Sequence, residues 1–436
     1  MLEILKNKRI LAERIKSIIK SKRFLDLGYS LGGSIGSRML NFAGFAWIAR
    51  ALEVNNYAYF TIIIALVATV TDLMNSGMNS SLIKYIAEFD GKGDRQKVNR
   101  LISTSIINVF VLSFVIGTVM VLGAHWFSKM YLGGNYVSLV VISILGVFST
   151  FLYGVFMAIL QGLQDFRWFS FAQIGFSALK LMLVGSIIHW VHPAIGALVF
   201  VFAITPVIVT AAGVFRLLKV GVRPETYDRQ LLNETFSFGK WMMLWSLVSV
   251  ARSRLDIYLL SPLSNSAQVS YFDVAQKFSS IIMMAISAYA TVLNPRLAAC
   301  TEIRYLRKEY KKAIFVSCAG SAALIASTIF LPTILRLMVG EKFSPSAMPL
   351  RILLFGLVPY IFTLATNSLL FAWGQSRVFF IAAAVGLTLN IGASWIMIPR
   401  YGANGSAFSA LLVNISGLAI SIIAFNRHAK KVGYRE

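Results

Sequence analysis

The sequence is poor in charged residues and in the side chains that build most catalytic and metal sites. Of its 436 residues, 14% are charged, two are cysteines and four are histidines. Soluble domains are typically about 25% charged, so no ordinary soluble domain is expected along the chain. Two cysteines make neither a disulfide framework nor a metal cluster. We therefore expect no metal and no other cofactor.

Hydrophobic residues, by contrast, make up 57% of the chain, which is typical of an integral membrane protein. Apolar stretches of about 20 residues can cross the hydrocarbon core. Each crosses as a helix, because a helix closes its own backbone hydrogen bonds without water. Twelve such stretches are predicted, at residues 24–48, 55–76, 101–124, 138–160, 168–190, 194–216, 237–260, 267–293, 313–331, 349–371, 378–398 and 402–425.

Acidic residues are scarce: 18 Asp and Glu stand against 41 Lys and Arg, giving a formal net charge of +23. In a soluble protein this excess would suggest a nucleic-acid partner. With a cytoplasmic N-terminus and twelve crossings, however, the inner segments hold roughly five times as many basic residues as the outer segments. The positive-inside rule thus explains the charge without nucleic acid. Both termini are predicted to be cytoplasmic.

The ends and the middle of the chain suggest its domain boundaries. Residues 1–23 are basic, with isoleucine and leucine at helical spacing. They form either an amphipathic helix on the membrane lipids or a solvated tail, and both interpretations stay open. The rest is divided into an N-terminal bundle at 24–220, a cytoplasmic linker at 221–236, a C-terminal bundle at 237–426 and a cytoplasmic tail at 427–436.

The two halves carry short matching segments at a nearly constant offset. The segment Gln161–Arg167 precedes the fifth predicted span and Gly374–Arg377 precedes the eleventh, and their arginines are 210 positions apart. The next hairpins, Pro193–Ala197 and Tyr401–Ser406, also correspond. Because six spans are an even number, the halves are predicted to be parallel repeats. The predicted fold is an all-α polytopic membrane protein, with twelve transmembrane helices in two six-helix bundles around a central cavity.

Polar side chains line one face of the first and fifth predicted spans, and each stripe contains one basic residue near mid-membrane. Neither Arg38 nor Lys180 has an acidic residue three or four positions away. A cation in hydrocarbon needs an anion or water, so both are expected to face a water-filled cavity and bind substrate. The other stripe members predicted to line the cavity are Ser34, Asn41, Gln173 and Ser177.

The seventh and eighth predicted spans each contain an oppositely charged pair at i,i+4 spacing. These pairs are Arg252 with Asp256 and Asp273 with Lys277, and Gln276 lies beside the second. Such groups either join helices within a bundle or line the cavity, with the two basic residues binding substrate. Basic residues outnumber acidic ones in the spans, so the cavity is expected to favour anions such as phosphate groups.

Several short motifs resemble a known family. Ala49–Leu52, Tyr57, Ser76–Met78 and Lys84–Glu88 resemble the signature of the polysaccharide-unit flippases. These are the Wzx-type O-antigen translocases of the multidrug/oligosaccharidyl-lipid/polysaccharide exporter superfamily. The hairpin Tyr401–Gly405 also resembles that family. One departure is Leu52-Glu53-Val54, where the family usually has Leu-Gly-Pro.

The resemblance implies two six-helix bundles around a V-shaped cavity. The implied activity is the flipping of an undecaprenyl-diphosphate-linked oligosaccharide from the cytoplasmic to the outer leaflet of the bacterial inner membrane, by alternating access, for surface polysaccharide assembly. Cavity cations of the family on the first and eighth helices match Arg38 and Lys277. Polysaccharide polymerase and chain-length machinery are the implied protein partners.

Two other functions remain as alternatives. A multidrug-type cation antiporter of the same fold would need unpaired carboxylates in mid-membrane, whereas the acidic residues here are paired or peripheral. A membrane-embedded glycan-assembly enzyme would need a catalytic loop outside the membrane. Even the longest predicted connections, 77–100 and 217–236, are short. No outer loop has a nucleophile or metal-ligand motif. We therefore predict a transporter and not an enzyme.

Overall fold

The computed structural model describes residues 22–190, 194–298 and 303–431, and these residues are helical throughout apart from their connections. The predicted tail at 1–23 lies outside the described residues except for its last two. A 3-10 turn, Glu341–Ser346, precedes the eleventh α-helix. The α-helices are α1 (Lys22–Ala51), α2 (Val54–Gly91), α3 (Arg95–Tyr131), α4 (Val137–Gly162), α5 (Phe166–Trp190), α6 (Ile195–Lys219), α7 (Arg229–Leu263), α8 (Ser266–Ala298), α9 (Ile303–Ser327), α10 (Leu331–Val339), α11 (Ala347–Ala372), α12 (Ser376–Tyr401) and α13 (Ala403–Lys431).

Most of these helices are long and apolar enough to cross a membrane. In the described part of the chain eight helices qualify, and nine if α9 and α10, which are bent by 64°, form one broken span. Pro332 in the first turn of α10 accounts for the new helix start at the bend. Helices α1, α7 and α8, which carry the predicted polar stripe and charged pairs, are not among those that qualify, but part of each lies outside the residues searched. The chain is therefore an all-α, multi-pass membrane protein.

The outer surface of α3 has the composition expected of a surface in contact with lipid. The Phe114 and Leu122 side chains are 78% and 80% exposed, and Val111, Val115 and Trp126 are exposed as well. So large an apolar surface would be an aggregation liability in water. In hydrocarbon it is the surface that a spanning helix needs.

The predicted connection at 77–100 between two spans is mostly helical. Helix α2 continues to Gly91 and α3 begins at Arg95, because local ion pairs and a helix cap let the polar sequence stay helical outside the apolar region. The Asp94 carboxylate accepts a hydrogen bond from the Lys97 backbone N–H at 3.0 Å. That bond holds the pKa of Asp94 below its usual value, so acid is expected to weaken the cap. The ion pairs are Lys92–Glu88, Arg95–Asp90 and Lys97–Asp94.

The remaining predicted boundaries shift by shorter amounts. Helix α7 begins at Arg229, inside the predicted linker 221–236, and α13 continues to Lys431, inside the predicted tail 427–436. The linker residues before α7 are held by the start of α3, where the Ser103 and Thr104 hydroxyls accept hydrogen bonds from the backbone N–H groups of Glu225 and Asp228.

The chain divides into two compact units. Unit 1 contains the described residues up to Ala51 together with Ile63–Val250, and unit 2 contains Leu52–Ile62 and the described residues from Ala251 onward. The short segment Leu52–Ile62 is anchored in unit 2 by backbone carbonyls. Ser270 Oγ donates to the Val54 oxygen and Lys342 Nζ to the Leu52 oxygen, each at 2.5 Å. The sequence had placed this segment in the N-terminal bundle.

Three helix pairs that pack in unit 1 have counterparts in unit 2. In unit 1, α4 packs on α3 and α6, and α5 packs on α6. In unit 2, α11 packs on α9 and α13, and α12 packs on α13. The order of these contacts along the chain is that of the predicted repeat.

The turn before α5 has a close counterpart before α12, 210 residues later. Gln164 and Gly374 both have positive φ angles, of 56° and 70°. The next residue donates its backbone N–H to an oxygen five residues back in each case: Asp165 to Leu160 and Gln375 to Leu370, both at 2.9 Å. The repeat noticed in the sequence therefore corresponds to the same local conformation.

Replacing Gly374 with alanine is expected to lower the free energy of unfolding by about 1–2 kcal/mol, because a left-handed conformation crowds an L side chain. The measurement is the thermal unfolding of the purified protein in detergent. Gly392→Ala is the matched control on α12: its added methyl group meets nothing within 4 Å and its φ is not positive. An equal loss of unfolding free energy in Gly374→Ala and Gly392→Ala would show that the positive φ angle is not the cause.

Candidate functional site

The predicted stripes of α1 and α5 meet each other in unit 1. Ser37 Oγ lies 2.9 Å from Ser177 Oγ, and Asn41 Nδ2 donates to the same Ser177 oxygen at 2.9 Å. Ser34 Oγ donates to Gln173 Oε1 at 3.3 Å. We call these five side chains the polar ladder. They hydrogen-bond across the helix pair, as polar residues often do in membrane proteins.

The close approach of α1 and α5 depends on small residues. A Cβ atom added to Gly33 would lie 2.8 Å from the Ser170 Cβ. Ser170 Oγ in turn donates to the Tyr29 carbonyl oxygen at 2.5 Å. The geometry thus favours the helix-joining interpretation for the ladder residues Ser34, Asn41, Gln173 and Ser177. Their predicted contact with substrate stays a prediction.

Arg38 lies next in sequence to the ladder residue Ser37, and its side chain is exposed. Its neighbours on α1, Ile35 and Met39, are apolar and also exposed, at 49% and 69%. Within the described part of the chain, no carboxylate forms an ion pair with Arg38. The guanidinium group is therefore available to an external anion.

Lys180 has a different environment from the one predicted. Its Nζ lies 5.0 Å from the ring centroid of Phe176 and 4.8 Å from that of Phe202 on α6. Aromatic faces attract cations, so Lys180 is not the lone cation that the sequence predicted. The difference comes from Phe202, whose position next to Lys180 depends on the packing of α6.

Unit 2 contains a buried carboxylate with several hydrogen-bond donors. Asp273 on α8 is 2% exposed. Its Oδ2 accepts hydrogen bonds from the Tyr57 hydroxyl at 2.5 Å and the Thr61 hydroxyl at 3.4 Å, and its Oδ1 lies 3.1 Å from Lys277 Nζ. The predicted pairing of Asp273 with Lys277 is confirmed. We call these four residues the carboxylate cluster.

The carboxylate cluster is asymmetric in its exposure. The Lys277 side chain is 42% exposed, whereas that of Asp273 is 3% exposed. A buried carboxylate needs hydrogen bonds and charge compensation, and Tyr57 and Thr61 still supply hydrogen bonds if Lys277 turns away. The ammonium group of Lys277 is therefore partly open to an external anion while it stays paired with Asp273.

The other predicted site residues of unit 2 are only partly brought together. Asp256 on α7 is buried, and its Oδ1 accepts a hydrogen bond from Ser406 Oγ on α13 at 2.7 Å. Gln276 is half-buried on α8. The Arg252 side chain lies outside the described residues, so its predicted pairing with Asp256 stays a prediction.

Sequence reasoning missed Tyr57 and Thr61 as partners of Asp273. Tyr57 entered only as part of a family motif, and it is 216 residues from Asp273 in the chain. No local spacing links the two residues. Their contact depends on the anchoring of Leu52–Ile62 in unit 2.

Mutations in the ladder are expected to affect stability. In a double-mutant cycle of Ser37→Ala and Ser177→Ala, the coupling energy should be about 0.6 kcal/mol, the usual value for such bonds in membranes. Ser177→Leu should cost about 1–3 kcal/mol because the interface is overpacked. Thermal unfolding in detergent measures both. Ser186→Ala is the control, since Ser186 is exposed and bonds only to the Met182 oxygen of its own helix. If the losses of stability in Ser37→Ala and Ser177→Ala were additive, the two hydroxyl groups would not be directly hydrogen-bonded.

Comparison with known proteins places this arrangement in a family. The profile of the polysaccharide biosynthesis protein family matches residues 26–301, which is more than half of the chain. The chain belongs to this family. The matched region, residues 26–301, contains Arg38, the polar ladder and Asp273 with Lys277.

The relatives in sequence are distant. A Shigella flexneri protein named "Putative O-antigen transporter" is 22% identical over 409 residues, which are 90% of this chain and 94% of that protein. An uncharacterised membrane protein of Methanocaldococcus jannaschii is 21% identical over 360 residues, covering 77% of this chain and 70% of that protein.

Solved structures show the same fold. An inward-facing multidrug resistance MATE family transporter of the MOP superfamily superposes with a TM-score of 0.73 at 17% identity, covering 92% of this chain and 96% of that one. The lipid II flippase MurJ, in an inward closed conformation, gives a TM-score of 0.74 at 16% identity, covering 92% of this chain and 87% of that one. The chain therefore has the fold of the MOP superfamily transporters, as its sequence predicted.

Proposed function

We propose that this protein flips a lipid-linked oligosaccharide across the membrane by alternating access, with undecaprenyl diphosphate as the lipid carrier. The observation that carries the proposal is Arg38, an exposed guanidinium group on a membrane helix that has no carboxylate partner among the described residues. Arg offers a planar fork of donors that matches phosphate oxygens. An anionic diphosphate would satisfy the charge of Arg38 without a protein partner.

Lys277 supports the proposal from unit 2. It is exposed enough to meet a second anion, and Asp273 keeps the Tyr57 and Thr61 hydroxyls when Lys277 moves. We infer that the ammonium group of Lys277 binds an anionic group of the cargo from its exposed side while it stays near Asp273. Full separation of the pair would leave a buried carboxylate without its cation, which is costly.

The family and the relatives support the glycan part of the proposal. The family is one of polysaccharide biosynthesis, and the names of two similar proteins refer to an O-antigen and to lipid II. We propose transport from the cytoplasmic to the outer leaflet of a bacterial inner membrane, with both termini cytoplasmic. Polysaccharide polymerase and chain-length machinery are the proposed partners downstream.

Deletion of the gene tests this function. We expect lipid-linked repeat units to accumulate on the inner leaflet, and surface polysaccharide to disappear. Expression of the full chain from a plasmid should reverse both effects. The measurements are extraction of lipid-linked glycans and probing of leaflet exposure with a membrane-impermeant glycan-modifying reagent.

Two results would contradict the proposal. Normal polymer at the surface with no accumulated intermediate would exclude flipping of its precursor. Increased resistance to toxic organic cations on overexpression, without any change in polysaccharide, would support the multidrug-type alternative instead.

A further inference from the structure

Three helices of unit 2 are joined at one end by stacked aromatic rings. Tyr310 lies on α9, Trp373 directly follows α11 and Phe425 lies on α13. The Phe425 ring stacks on both of the others, with centroid distances of 5.2 Å to Tyr310 and 5.7 Å to Trp373. The start of α9, the turn between α11 and α12, and the end of α13 therefore lie side by side.

Exposed basic side chains are concentrated around this aromatic stack, and we call them the basic patch. Each is one to four residues along the chain from a stacked ring: Lys308, Lys311, Lys312, Arg377 and Arg427. Lys312 Nζ lies 2.7 Å from Glu309 Oε1. In the part of the chain that the structure describes, the other four form no ion pair. Like charges that are crowded together repel one another, so the patch favours an external anion.

The basic patch borders the lipid-facing surface of the same helices. On α9, Lys311 lies four residues before Phe315, whose side chain is 75% exposed. Residues at this spacing share a helix face and are about 6 Å apart along the axis. The same spacing joins exposed basic and apolar residues on the other two helices, Arg377 with Ile381 and Arg427 with Ile423.

The ends of the apolar spans place the basic patch at the depth of lipid headgroups. The span of α12 begins at Arg377, and that of α13 ends at Ala429. Lysine and arginine stems can lie along hydrocarbon while their charged ends reach the headgroup layer. Tyrosine and tryptophan are enriched at this layer, and Tyr305 is exposed beside the patch. An acidic soluble protein would have to enter the headgroup layer to meet these charges, whereas a lipid phosphate is already there.

We propose that the basic patch binds the headgroups of anionic phospholipids, such as phosphatidylglycerol, in the leaflet that borders this end of unit 2. Each Lys or Arg near an anionic membrane surface strengthens the attraction about fivefold. Because the patch draws its charges from three helices, the bound headgroups would connect α9 with α12 and α13. The inference needs no transported molecule and is independent of the proposed function.

Photo-crosslinking tests the proposal on the full-length protein in phosphatidylcholine nanodiscs. The two probes are phosphatidylglycerol and phosphatidylcholine, each carrying a diazirine at the same acyl carbon close to the headgroup. We expect the phosphatidylglycerol probe to label peptides containing 305–316, 373–381 and 423–427 about tenfold more than the phosphatidylcholine probe does. Added salt should lower this preference, because it screens exposed charges.

A neutral variant removes one charge from each of the three helices. Lys311→Gln, Arg377→Gln and Arg427→Gln together should bring the ratio of the two labels close to one. The charge-conserving combination Lys311→Arg, Arg377→Lys and Arg427→Lys should keep the preference. If the neutral variant does not fold, Lys308→Gln with Lys311→Gln on α9 replaces it and should lower the ratio in part.

The matched control removes three exposed charges from the α2–α3 hairpin instead. The combination is Lys92→Gln, Arg95→Gln and Lys97→Gln. Each of these residues is paired with a carboxylate on the polar extensions of the helices. The control should leave the labelling ratio at the basic patch unchanged.

Four outcomes would overturn the proposal. Equal labelling of the patch by both probes in the unaltered protein would exclude a lipid preference and point to an acidic protein segment as the partner. A loss of preference in the charge-conserving variant, or an equal loss in the hairpin control, would show that charge at the patch is not the cause. A fall of both labels together in the neutral variant would show a change of local structure.

Discussion

Arg38→Gln is expected to abolish surface polysaccharide while leaving the amount and the unfolding temperature of the protein unchanged. The change removes the charge of an exposed side chain that pairs with no carboxylate among the described residues, so it strands no buried carboxylate. A lost charged hydrogen bond to substrate costs about 2–5 kcal/mol, which is a loss in binding of about 30-fold or more. Arg38→Lys keeps the charge without the fork and should retain part of the activity. The measurement is surface polymer in the complemented deletion strain.

The control for Arg38 is Lys129→Gln, which removes one positive charge from an exposed position at the end of α3 and should not affect export. Lys180→Gln is also expected to reduce export. Because the Lys180 ammonium group also contacts two aromatic rings, the unfolding temperature of the Lys180→Gln protein must be measured together with export. Full export by Arg38→Gln would remove the main support for an anionic cargo.

Asp273→Ala is expected to destabilise the protein more than any other single change considered for unit 2. It leaves the buried Tyr57 hydroxyl without its acceptor and Lys277 without its partner. Breaking a buried charged pair typically costs about 3–5 kcal/mol; the partial exposure of Lys277 places the cost at the lower end. Asp273→Asn still accepts a hydrogen bond from Tyr57 and should cost less. Denaturant or thermal unfolding in detergent measures the change.

A double-mutant cycle separates the hydrogen bond from other effects of the Asp273 mutation. Tyr57→Phe alone should cost about 1.5–3 kcal/mol, the value for a hydrogen bond to a charged group, and much less in the Asp273→Ala background. Glu88→Ala is the control, since its pair with Lys92 is solvent-exposed and should contribute little. If Tyr57→Phe and Asp273→Ala were additive, the two side chains would not interact directly.

The fold could be predicted from the sequence because it depends on patterns that are local or repeated. Apolar runs predict the helices of a membrane protein whatever their neighbours are, and the turns at Gln164 and Gly374 repeat a backbone conformation that short motifs encode. The ends of the helices were not predictable where polar segments stay helical beyond the apolar run, as in α2 from Gly77 to Gly91. There, capping and ion pairs decide, and hydropathy carries no signal.

The candidate site was predictable only within single helices. The pairing of Asp273 with Lys277 follows from their spacing on α8, and the structure confirms it. The rings around Lys180 and the Tyr57 hydroxyl on Asp273 come from other helices. A stripe of serines has the same sequence pattern whether it faces water or another helix. The hydrogen bonds of the polar ladder between α1 and α5 could therefore not be predicted from the sequence.

The tip of the α2–α3 hairpin has a practical consequence. Since both helices continue almost to the three residues that join them, and Asp94 caps the start of α3, the tip offers a short connection at which a second protein can be attached. A small folded domain inserted between Lys92 and Asp94 should keep a nearly fixed orientation relative to the membrane helices. That would give a 48.2 kDa protein the visible landmark that particle alignment in electron cryomicroscopy requires.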